Sequence, residues 1–80
     1  MNPYWIDIEQ LHQPSPLNRG VGITAISEED AVGIFRELIG PEQIIKSIKK
    51  VSDVRDLDQN FVVPNMGSLF VRGVWYPLAW

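Results

Sequence analysis

Few side chains in this sequence stand at spacings that could do chemistry, and each can be checked against the chemistry it would serve. Gly20-Val21-Gly22-Ile23-Thr24-Ala25 has the spacing of a dinucleotide fingerprint, in which glycines let backbone amides approach a pyrophosphate at a helix start. Such a motif needs a buried strand before the first glycine and a helix opening within it. Here Gln13-Pro14-Ser15-Pro16-Leu17-Asn18-Arg19 precedes it, a loop by its two prolines, and the helix signal comes later. Asp56, Asp58 and Asn60 reproduce the first three ligands of a calcium loop, but the sixth position holds Phe61 where glycine is needed. The twelfth holds Gly67 where a bidentate glutamate is needed, so a turn made by side chains bonding nearby amides is the better reading. His12, the one histidine, has no nucleophile or orienting carboxylate at a recognisable spacing. Ser27 serves better as a helix cap than as a nucleophile, and Asp53, Asp56 and Asp58 read as a solvated acidic face. No catalytic, metal-binding or cofactor-binding residue is therefore assigned, and no cofactor is expected.

The least ordinary stretch is Asn65-Met66-Gly67-Ser68-Leu69-Phe70-Val71-Arg72-Gly73-Val74-Trp75-Tyr76-Pro77-Leu78-Ala79-Trp80, which holds two of the three tryptophans. Aromatics and arginine dominate interface hot spots because they bury large area at small entropic cost. One reading has Trp75 and Trp80 completing a small core. The other makes Arg72, Trp75, Tyr76 and Trp80 a contact surface for a protein partner or a second copy of the chain, because both alternating faces of a strand here are apolar and a helix can cover only one.

The elements that must position these residues follow from periodicity. Residues 4–9 alternate, with Tyr4, Ile6 and Ile8 opposite Trp5, Asp7 and Glu9, as do 21–26, with Val21, Ile23 and Ala25 opposite Gly22, Thr24 and Ile26. Both are strands, and Gly22 within the second marks a bulge or a close neighbour. Ser27 and Asp30 make a capping box, and Ala31, Ile34, Phe35 and Leu38 recur at helical spacing, which predicts a helix over 28–39 ended by Gly40 and Pro41. Beyond Pro41 the signals conflict. Ile44, Ile48 and Val51 fit a helix while Ile48, Lys50, Ser52 and Val54 fit a strand face, which we read as a helical turn at 41–46 and a strand at 48–54. A polar turn follows at 56–60. The last strand is expected at 69–76, with Trp75 and Tyr76 on its two faces. The order strand, strand, helix, strand, strand gives an α+β fold: a mainly antiparallel sheet of about four strands covered on one face by one helix, with the strand order open.

Length and composition bound what such a fold can be. Eighty residues, 45% of them apolar, suffice for one core and a single domain. Ten acidic against seven basic side chains offer no electrostatic footprint for a phosphate backbone, so nucleic acid is not an expected partner. Without cysteine there is no disulfide framework, zinc thiolate or thiol nucleophile. Met1-Asn2-Pro3-Tyr4-Trp5-Ile6-Asp7 has neither a basic n-region nor an apolar run, so no membrane association is expected and a cytoplasmic location is the default expectation.

Three segments, Gly22-Ile23-Thr24-Ala25-Ile26-Ser27-Glu28-Glu29-Asp30-Ala31, Val63-Pro64-Asn65-Met66-Gly67 and Arg72-Gly73-Val74-Trp75-Tyr76-Pro77, resemble a set of short, uncharacterised bacterial proteins. The resemblance implies a bacterial source and carries no assigned activity. The function expected is that of a small protein acting by protein–protein binding, of the kind served by immunity proteins and inhibitors. The alternative is a small enzyme or ligand-binding domain with its pocket under the loop at 14–19.

Overall fold

The computed structural model describes residues 1–77. Strands β1 (Asn2–Ile8) and β2 (Val21–Ala25) are followed by helix α1 (Glu28–Leu38) and strands β3 (Ile45–Lys50) and β4 (Gly73–Tyr76). The expected order of elements is the one found. All neighbouring strands are antiparallel, in the order β3-β1-β2-β4. Trp80, one of the four expected contact residues, lies outside the described residues.

The alternation in β1 and β2 builds two cores, one on each side of the sheet. Tyr4, Ile6, Ile8, Val21, Ile23 and Ala25 face α1, where Ala31, Ile34 and Phe35 close over them with Leu17 from a 3-10 turn at Pro16–Arg19. Ser27 caps the helix as its spacing implies: its Oγ accepts from the Asp30 amide at 3.1 Å. The reciprocal bond is displaced by one residue, with Asp30 Oδ2 accepting from the amide of Ile26 at 3.0 Å. At the other end Arg36 donates to the carbonyls of Pro41 and Gln43 and holds the turn that leads to β3.

On the opposite face Trp5, Trp75 and Tyr76 meet Val51, Leu57 and Val62 in a second cluster, with Val63, Met66 and Leu69 packed against it. The Trp5 ring lies 5.9 Å from Trp75 and 5.5 Å from Tyr76, both tilted, within the range of favourable aromatic pairs. The cover is an irregular segment, residues 51–69, with 3-10 turns at Val54–Asp56 and Val63–Asn65. Both sheet faces are therefore buried within one chain.

Three local expectations need correction. No helix forms at 41–46, and the strand is Ile45–Lys50 instead of 48–54. The last strand is Gly73–Tyr76, because residues 69–72 bend away from the sheet. Trp75 and Tyr76 do not divide between the faces. Gly22 pairs with Tyr76 and Ile23 with Val74, so Trp75 is the extra residue of a bulge and turns to the same side as Tyr76.

Candidate functional site

Of the three expected contact residues that are described, the fold separates Arg72 from Trp75 and Tyr76. Trp75 retains 2% of its surface and Tyr76 3%, so both are core side chains and neither presents a free contact face. Burial pushes the Tyr76 phenol above its ordinary pKa. Arg72 alone among the described three reaches solvent, and its guanidinium grips Asp30 at both carboxylate oxygens, Nε to Oδ2 at 2.9 Å and Nη2 to Oδ1 at 2.5 Å. That bidentate grip, with the Ile26 amide, holds the Asp30 carboxyl down from 3.8 to about 2.

The residues that do reach solvent lie just before Arg72. Phe70 is 89% exposed and Val71 is exposed beside it. Their bend is not a loose loop, because Gly67 N–H donates to the Trp75 carbonyl at 2.6 Å and the buried Thr24 hydroxyl donates to the Leu69 carbonyl at 2.7 Å. Ser68 Oγ accepts from the Phe70 amide at 3.1 Å, and Arg72 closes the far side on α1. The register brings two more apolar side chains to this end of the sheet. Asn2 opposes Ala25 and Thr24 opposes Gly73, so Met1 and Ile26, both exposed, border the bend. A shallow groove runs between Met1, Pro3, Leu69 and Phe70. Alternation makes Phe70 and Val71 members of a paired strand and does not reveal their isolation; the Ser68 side chain, able to bond the amide two residues on, is the local sign of a turn.

A second feature lies at the other end of the sheet, beside the proline loop. A cleft of about 280 Å³ is lined by Trp5, Leu57 and Val62 below and by Arg19, Lys49, Asp56 and Asp58 around it. Arg19 stacks 3.7 Å from the centre of the Phe61 ring and stands 3.6 Å from Asp58 Oδ2. Asp58 Oδ1 accepts from the amides of Asn60 at 2.8 Å and Phe61 at 3.0 Å, the turn expected of this stretch. Asn18 and Arg19 bring the end of the loop at 14–19 to its wall. His12 lines a separate depression with Leu11, Gln13 and Pro14.

Among the described residues no group of three or more His, Asp or Glu side chains is arranged to hold a metal ion, and no helix is long and apolar enough to cross a membrane. No protein-family model matches the chain, and no curated protein or solved structure matches it.

Proposed function

We propose that the protein works by binding another protein through the apolar end of its sheet, with Phe70 and Val71 as the anchor, Ile26 and Met1 beside them and Arg72 at the rim. The observation that carries this reading is an apolar tip almost fully open to water on a bend pinned at residues 67, 69 and 72. Exposing Phe70 forgoes the roughly 1.5–3 kcal/mol that burying such a side chain contributes. Holding it on a braced bend lowers the entropy lost when a partner covers it. Glu28 and Glu29, both exposed next to Ile26, set an acidic border, which suits a partner with basic residues around an apolar pocket. Inhibition of such a partner, as immunity proteins perform, requires no catalytic group on this chain.

A photo-crosslinking residue placed at position 70 tests the proposal against the same residue at Leu38. Position 70 is expected to trap one protein that position 38 does not, and that protein, once purified, should bind wild type at least about tenfold more tightly than Phe70→Ala. Equal trapping from both positions, or equal binding of the two chains, overturns it. Should the trapped protein be the chain itself, sedimentation across a wide concentration range will show a dimer weakened by Phe70→Ala.

A further inference from the structure

We propose that the cleft beside the proline loop binds a small zwitterion of the α-amino-acid class. The inference is independent of the protein-binding bend, whose groove shares no lining residue with the cleft. It rests on the balance and placement of charge around a concave apolar floor. Two cations, Arg19 and Lys49, and two carboxylates, Asp56 and Asp58, line the same cleft above Trp5, Leu57 and Val62. A ligand carrying one charge is attracted by one pair and repelled by the other, whereas a zwitterion is attracted by both.

The existing bonds indicate which groups are available. Asn18 shapes the loop and is engaged at both ends of its amide, accepting from the Leu11 N–H at 2.7 Å and donating to the Gln13 carbonyl at 3.1 Å. Arg19 is preset by its stacking on Phe61, and at 3.6 Å its contact with Asp58 is longer than a hydrogen bond. A ligand carboxylate can therefore take Arg19 without breaking a tight pair. Lys49 and Asp56 form none of the ion pairs among the described residues. The ligand's carboxylate then lies toward Arg19 and Lys49, its ammonium toward Asp56 and Asp58, and its side chain on Leu57 and Val62. At about 280 Å³ the cleft has room for a molecule the size of a single amino acid.

The probe is L-leucine, titrated into isotope-labelled protein and followed by amide shifts, with isovalerate as the carboxylate-only analogue and isoamylamine as the amine-only one. Saturable shifts at Trp5, Lys49 and Leu57 are expected with a dissociation constant of about 1 mM or lower, and both analogues should bind at least about tenfold more weakly. Lys49→Ala and Asp56→Ala, each at an exposed position, should weaken leucine by about tenfold while leaving the melting temperature unchanged. The proposal is overturned by the absence of saturable shifts at the cleft, by isovalerate binding as well as leucine, or by leucine affinity that survives both substitutions.

Discussion

Trp75 stacks on Gly22 so closely that its indole ring fills the space where a β-carbon at that position would stand. The glycine is thus a packing requirement of the second core, since the bulge at Trp75 drives a large ring down onto the neighbouring strand. Gly22→Ala sets two effects against each other. Loss of backbone freedom in the unfolded chain stabilises by about 0.4–1 kcal/mol, while forcing the ring aside costs about 1–3 kcal/mol or more. Because the obstructing atoms belong to a buried indole, the second effect should win, and denaturant melts should show net destabilisation. A variant as stable as wild type would mean that the ring does not rest on Gly22.

Bulges also explain which parts of the fold could be read from the sequence. In β1, β2 and α1 the period of apolar residues matches the element, and both faces and the cap are legible. In β3, Ile6 pairs with Ile48 and Ile8 with Ile45, which makes Lys46 an extra residue and puts two isoleucines three apart on one sheet face. The set Ile44, Ile48 and Val51 imitates a helix without sharing a face: Ile44 is exposed, Ile48 packs on the helix side and Val51 on the other. In β4 the bulge turns adjacent Trp75 and Tyr76 the same way, whereas alternation places them on opposite faces. The cover over the second face was illegible for another reason: Leu57 and Val62 lie in a polar, turn-rich segment where no period announces that they point inward. Trp75 and Tyr76 are core residues for the same reason. Once residues 51–69 cover the second face, no partner copy is needed to bury it, and Phe70 on the bend before Arg72 is the large apolar side chain left most open among the described residues.

Ser27 is expected to contribute as a cap because the Asp30 amide would otherwise have no acceptor at the helix start. Ser27→Ala should cost about 0.5–2 kcal/mol, and Ser27→Asp, which retains an acceptor, should recover most of it. Overlaid melts of wild type and Ser27→Ala would show that the cap is not needed.

The Arg72 grip on Asp30 makes a pH prediction. Asp30 has a lower pKa in the folded chain than in the unfolded one, so its contribution is complete above about 4 and fades as pH falls toward about 2. Acidification through this window should destabilise wild type, and Asp30→Asn should remove part of that slope. Asp53, lowered by Arg55, acts in the same direction, so the quantity to measure is the difference between the two stability curves. Parallel curves would mean that the pair is open in solution.

The sharpest test separates two aromatic residues five positions apart. Phe70 stands in water on a braced bend, whereas Trp75 closes a core shared with Trp5, Tyr76 and Val62. Phe70→Ala should change stability by no more than about 0.5 kcal/mol, as expected of a surface position, and should lose the partner. Trp75→Ala removes a fully buried ring from a domain whose whole margin is about 3–5 kcal/mol, and the deletion itself costs about 3–5 kcal/mol, so much of the population should unfold. Circular dichroism and denaturant melts of the two variants should therefore diverge widely. In the Trp80→Phe variant, acrylamide should quench the remaining tryptophan emission weakly, since Trp5 and Trp75 are both buried. Strong quenching together with a stable Trp75→Ala protein would place Trp75 at the surface, returning the contact site to β4 and removing the assignment to the bend at Phe70.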